Sequence, residues 1–180
     1  MITENKRNLW LVLFFFAAET ARAQFKPVED QSLANFKIKN FGIPVGGSFK
    51  GIQGDIRFDP AKPEDASFDI SVDANTVNTD NSMRDSHLKG ESYFDVQHHP
   101  KIRFVSTKVQ ASNKTGFWML YGKLTIKDHI KDIYFPFSAT AVKGGYLFKG
   151  AFMLKRKEFD VGGTSTISDE LEVSLDVFAK

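Results

Sequence analysis

Along residues 68–74 the chain alternates strictly. Phe68, Ile70, Val72 and Ala74 are apolar, and Asp69, Ser71 and Asp73 between them are polar. Residues 171–177 repeat the pattern, with Glu172, Ser174 and Asp176 separating Leu171, Val173, Leu175 and Val177. Successive strand side chains point to opposite faces, so each segment has one dry face and one wet face. That is the signature of an antiparallel sheet folded over a single core.

Six further segments follow the same period with small irregularities. Phe36 and Ile38 alternate with lysines. After Phe49 the apolar parity changes to Ile52, Ile56 and Phe58, where Gly51 and Gly54 permit a bulge or a sharp coil. Ile102 and Phe104 form a short strand after Pro100. Trp118, Leu120, Leu124 and Ile126 face one side, while Phe117, Met119 and Tyr121 make the other side apolar too. Ile133, Phe135 and Phe137 come next, with Pro136 suited to an outward or edge position. Tyr146, Phe148, Phe152 and Leu154 follow a Gly144-Gly145 turn.

The count is eight strands joined mostly by short turns. One connection is long, residues 75–99, and it predicts a short helix through Met83, Arg84, His87 and Leu88 capped by Asp80 or Asn81. No other segment supplies the crossover helices that parallel strands need. The fold class is therefore all-β, and an eight-stranded antiparallel barrel is favoured over a sandwich. Gly54, Gly122 and Gly150 share the parity of their strands' apolar residues. They either leave room in the interior or relieve curvature, and the sequence does not choose.

The first residues read differently. Lys6 and Arg7 precede the apolar run 9–18, and Ala21-Arg22-Ala23 follows. This is the form of a secretory signal peptide over residues 1–23, too short for a permanent membrane anchor. The expectation is an exported domain over residues 24–180, in the periplasm or secreted, with no stable membrane span. The chain has no cysteine, so no disulfide supports it and its core must suffice. The net charge of +2 falls to +1 once Lys6, Arg7, Arg22, Glu4 and Glu19 are set aside, too balanced to argue for nucleic acid or an anionic membrane surface. Of 18 Phe, three (Phe14, Phe15 and Phe16) lie in the leader. The rest make either a ring-rich core or a ring-lined interior.

Residues 83–104 interrupt the alternation with Arg84, Asp85, His87, His98, His99 and Pro100 beside Leu88, Tyr93 and Phe94. A metal-dependent enzyme using Asp85, His87 and His98 is one reading. No i, i+4 histidine pair supports it, and adjacent His98 and His99 point apart in an extended chain. General acid–base catalysis lacks a nucleophile in a recognisable setting. The stronger reading is a lid, in which Arg84 and Asp85 tie the helix to the barrel mouth and Leu88, Tyr93 and Phe94 plug the core.

The same residues resemble a known family. Arg84-Asp85-x-His87-Leu88, Tyr93-Phe94-Asp95-Val96 and His99-Pro100-Lys101-Ile102-x-Phe104 resemble the signature region of the YceI-like family of exported lipid-binding proteins. Gly47-Ser48-Phe49-Lys50-Gly51 with Gly54-Asp55-Ile56-Arg57-Phe58-Asp59, and Gly122-Lys123-Leu124-Thr125-Ile126-Lys127-Asp128, are similar to its early and middle strands. Phe152-x-Leu154-x-Arg156-x-x-Phe159-x-Val161-Gly162 and Ile167-Ser168-Asp169-Glu170-Leu171 are similar to its closing elements. At its "T-K" turn this chain departs, carrying His129-Ile130-Lys131. The resemblance implies a lipocalin-like, extended eight-stranded barrel with an apolar tunnel, associated with polyisoprenoids, isoprenoid quinones and related long-chain lipids.

Together these observations predict a binding or carrier protein, not an enzyme, whose bound isoprenoid or other lipid takes the place of a cofactor. The expected lining, chosen by parity, is Phe36, Phe58, Phe68, Ile70, Phe104, Trp118, Leu120, Phe135, Phe148 and Phe152. The expected lid is Arg84, Asp85, His87 and Leu88. No metal ligands and no catalytic residues are assigned, and a homodimer is left open. The competing class is a solidly packed structural or stress-related interaction domain.

Overall fold

The computed structural model describes residues 24–180; the predicted signal peptide lies outside the described residues. Ten strands form one antiparallel sheet. They are β1 (Gln24–Phe25), β2 (Leu33–Asn40), β3 (Ile43–Phe49), β4 (Gln53–Arg57), β5 (Ser67–Asp73), β6 (Lys101–Ala111), β7 (Phe117–Ile126), β8 (His129–Val142), β9 (Gly145–Lys155) and β10 (Ile167–Ala179). Their order is β1-β4-β5-β6-β7-β8-β9-β10-β2-β3, and the sheet curls round a single apolar interior.

The count exceeds the predicted eight for two reasons. The stretch expected as one strand from Phe49 to Phe58 divides at Gly51, whose φ of +72° turns the chain between β3 and β4. The two-residue β1 was invisible to periodicity. It pairs with β4 through Gln24↔Arg57 and Phe25↔Ile56. The chain then crosses to β10, where Lys26 and Lys180 exchange backbone hydrogen bonds and the Val28 N–H donates to the Phe178 carbonyl. The segment 24–28 thus joins the two sides of the curled sheet at one end.

At the other end the seam is closed by the long connection. Ser48 on edge strand β3 exchanges both backbone hydrogen bonds with Asn78. The chain then enters α1 (Ser82–Lys89), the only α-helix among the described residues. Asn81 is the cap, its side chain accepting from the Arg84 N–H, so the cap is the second of the two predicted candidates. Gly90 ends the helix.

Pro136 sits inside β8, not on an edge strand. It is exposed and opposite Met119, and the ladder from β8 to β9 begins only at Phe137, so its missing N–H falls outside that ladder. Above this point β8 and β9 separate. A 3-10 turn, Arg156–Phe159, fills the gap, with Phe159 packed among Leu124, Ile126, Leu154 and Ile133.

Candidate ligand-binding site

Because every strand from β2 to β10 turns alternate residues inward, the interior is lined with apolar side chains from nine strands. They are not packed solid. A cavity of about 500 Å³ remains, inside the range of roughly 300–1,000 Å³ that houses small-molecule ligands. Its walls include Phe36, Ile38, Ile70, Phe104, Leu120, Phe135, Phe152 and Val173. The unfilled interior argues against the solidly packed alternative.

Eight of the ten residues predicted by parity line this space: Phe36, Phe68, Ile70, Phe104, Leu120, Phe135, Phe148 and Phe152. Phe58 and Trp118 do not. Both point inward, as parity requires, but they lie at the end where 24–28 joins β4 to β10. There Phe58 meets Trp118 edge to face at 5.1 Å and Phe148 at 5.4 Å, while Phe68 meets Phe137 at 5.4 Å and Phe25 meets Tyr146 at 5.2 Å. Edge-to-face rings at these separations are mutually attractive and leave no gap. The expected tunnel is closed at this end by a plug of rings.

The glycines have a third role that the sequence left unseen. A Cβ at Gly122 would meet Phe104 Cζ at 2.3 Å, and one at Gly47 would meet Phe36 Cζ at 2.3 Å. At Gly150 the nearest atoms belong to the Phe135 ring, at 3.0 Å. In each case a phenylalanine lies flat over a neighbouring strand, and the glycine admits the ring. Gly54, at φ +134°, abuts the backbone of its ladder partner β5 at Asp69, where a Cβ has no room.

At the opposite end α1 spans the mouth. Arg84, His87 and Leu88 line the cavity, joined by Asn81, Met83 and Thr79. Asp85 lies behind them, yet it fixes their position. Its Oδ1 accepts from the Thr79 N–H at 2.9 Å and the Thr79 hydroxyl at 2.5 Å. Arg84 donates from Nε to Thr79 Oγ1 and from Nη2 to the Thr79 carbonyl, both at 2.7 Å. The predicted pairing of Arg84 with Asp85 therefore runs through Thr79, a buried residue to which both side chains are hydrogen-bonded.

Tyr93 and Phe94 complete the closure. Phe94 meets Phe49 edge to face at 5.2 Å. Tyr93 lies over Gly162, whose N–H donates to the Ser92 carbonyl. Lys127 Nζ clamps both partners, donating to the carbonyls of Glu91 and Asp160.

Asp85, His87 and His98 do not form a joint site. Asp85 is committed to Thr79, and His98 Nδ1 lies 2.9 Å from Asp95. Asp95, with Glu91 adding to it, holds the exposed His98 imidazole above the ordinary histidine value through that hydrogen bond and its charge. His99 lies between Asp95 and Asp128. Among the described residues no three His, Cys, Asp or Glu converge as metal ligands.

Sequence reasoning passed over Arg156, whose only notice was its place in a motif. It is 6 % exposed, and its guanidinium donates to the carbonyls of Val161, Gly162, Gly163, Ile167 and Ser168 and to Ser165 Oγ. It organises the whole return from β9 to β10. An arginine in a run otherwise apolar at Phe152, Leu154 and Phe159 was the available signal.

The model of the YceI-like domain matches residues 24–179.

The chain belongs to the YceI-like family.

Curated relatives within reach of this family include the UPF0312 protein of Yersinia pestis (strain Pestoides F), 29% identical over 188 residues and covering 98% of this chain and 97% of its own. The UPF0312 protein of Pseudomonas savastanoi pv. phaseolicola is 28% identical over 159 residues, 80% of this chain and 78% of its own. Among solved structures, Burkholderia cenocepacia BcnA superposes with a TM-score of 0.81 at 24% identity, over 86% of this chain and 99% of that one. A polyisoprenoid binding domain from Saccharophagus degradans gives 0.68 at 14% identity, over 88% and 98%. At these identities the likeness is one of fold, and it supports the lipocalin-like YceI architecture.

Proposed function

We propose that this protein binds and carries a long-chain lipid such as a polyisoprenoid or isoprenoid quinone, and that it works outside the cytoplasm. The observation that carries this is the cavity itself: about 500 Å³, walled mainly by aliphatic and aromatic side chains, with Thr79, Asn81, Arg84 and His87 at the end covered by α1. Burying roughly 400 Å² of prenyl chain there is worth on the order of 10 kcal/mol before ordering costs, at about 25 cal/mol per Å². No ion pair is needed for affinity. Asn81, Arg84 and His87 at the mouth have the chemistry to orient a head group rather than to hold it.

The neighbouring fold described as a polyisoprenoid binding domain is compatible with this reading, and the leader sequence supports export. The hydroxyl at the mouth that meets a carboxylate, Thr79 on Asp85, is buried and also accepts from Arg84, so it is occupied in seating α1, and binding accounts for the site better than catalysis does.

Organic extraction of protein purified from its native compartment, followed by mass spectrometry, tests the proposal. A stoichiometric long-chain lipid is the expected result. Protein that yields none, and that takes up no isoprenoid when it is offered, would overturn it.

A further inference from the structure

Three large apolar side chains stand in solvent round the mouth. Met83, on α1, lines the cavity and is nevertheless 75% exposed. Ile43, at the start of β3, is 67% exposed; it pairs with the cavity residue Asn40 and precedes Val45, another cavity residue, on the same face. Phe41, between β2 and β3, is 76% exposed. Met83 and Val45 thus carry apolar surface from the rim into the interior, beside the polar mouth residues Asn40, Asn81 and Arg84.

Phe41 is also in an unusual backbone state. Phe41 and Gly42 are the two central residues of a tight hairpin turn, with φ of 51° and 79°. Such turns favour Asn-Gly or Asp-Gly, because positive φ at the first central position is unfavourable for a bulky side chain. A ring at this tip adds strain and exposes apolar surface, so folding alone gives no reason for it. The hairpin Leu33–Phe49 carries Lys37 and Lys39, both exposed, and no carboxylate of its own; Glu172 of β10 stands opposite Lys37, which leaves Lys39 as the cation next to the tip.

We propose that Phe41, Ile43 and Met83 insert into the surface of a phospholipid membrane and set the mouth against it, so that the ligand passes between bilayer and cavity without crossing water. The inference rests on the lipid-carrier reading and adds to it the surface from which the lipid is taken. Lys39 beside the tip faces phosphate head groups, while the Phe41 ring and the side chains of Ile43 and Met83 supply the hold.

The test is co-sedimentation of the protein with vesicles of phosphatidylethanolamine and phosphatidylglycerol. Phe41→Asn suits the turn better than phenylalanine and keeps the fold, and Ile43→Thr keeps the strand. Neither residue lines the cavity. The wild-type protein is expected to bind the vesicles and to stay bound in high salt, as apolar insertion does. The double variant is expected to bind on the order of ten-fold more weakly, for the loss of a partly buried ring and methyl group. Extraction of a fluorescent prenyl lipid from the vesicles slows in parallel, whereas affinity for farnesol offered in water is unchanged. Absence of wild-type binding, release by salt, or equal binding by the double variant would overturn the proposal. Failure of the wild type to bind farnesol would instead count against the carrier reading, because sedimentation does not use the cavity.

Discussion

The ring of Phe104 occupies the space that a side chain at Gly122 would take. A Cβ built on Gly122 falls 2.3 Å from Phe104 Cζ and 2.5 Å from the Val105 carbonyl oxygen. The ring is thereby held flat against β7, and its other neighbour is Phe135 at 5.9 Å. Gly122→Ala must push the ring toward the cavity and shift backbone as well. The expected cost is about 2 kcal/mol, the usual scale of overpacking, read from urea unfolding. Lipid capacity should fall with it, since the displaced ring narrows the cavity.

Arg156→Met removes six hydrogen bonds at once and leaves the carbonyls of Val161, Gly162, Gly163, Ile167 and Ser168 without this donor. Unsatisfied buried polar groups cost roughly 1–3 kcal/mol each where solvent cannot reach them. Because part of this segment is exposed, we expect a total near 3 kcal/mol. Arg156→Lys should recover little, since an ammonium cannot reproduce the planar fork. Amide exchange along 161–168 should rise before the global transition in either variant.

Asp85→Ala strands the N–H and hydroxyl of buried Thr79. About 2 kcal/mol of stability should be lost, and the bound lipid should dissociate several-fold faster because the strap that seats α1 is gone. Asp85→Asn keeps one acceptor and should restore part of both effects. An unchanged dissociation rate in Asp85→Ala would show that α1 does not gate the mouth.

His98 offers a pH test. Its pKa is raised by the hydrogen bond and charge of Asp95, so the protonated form is favoured in the folded protein. The contribution is therefore present below the unfolded histidine value, about 6.5, and lost as pH rises through the higher folded value. Nuclear magnetic resonance titration of the ring should give a midpoint above that of a free histidine, returning toward it in Asp95→Asn. Full exposure of the group keeps the effect on unfolding small.

Much of this was readable in the sequence because period-two alternation is a local property. β5 and β10 were legible residue by residue, and the long connection stood out by breaking the pattern. Parity told which side chains point inward but not how far along the axis each one sits. That is why Phe58 and Trp118, correctly turned inward, belong to the plug and not to the cavity wall. The role of Thr79 was hidden because it is a partner for two charged residues that look like partners for each other. The glycines were ambiguous for a related reason: what fills the space beside Gly122 is a ring from β6, nearly twenty positions away in the chain.

The plug at the β1 end has one more consequence. A bore open at both ends would accept a chain of any size, whereas one with a floor of rings at Phe68, Phe137 and Phe148 measures whatever enters. On the carrier reading proposed above, a lipid goes in tail first and leaves the way it came. Tails that fit between the floor and α1 are then covered whole, and longer ones leave their head groups standing outside. Substitution of the floor rings by smaller residues would then change which homologue of a lipid series is kept, much as moving the stop on a gauge changes what it passes.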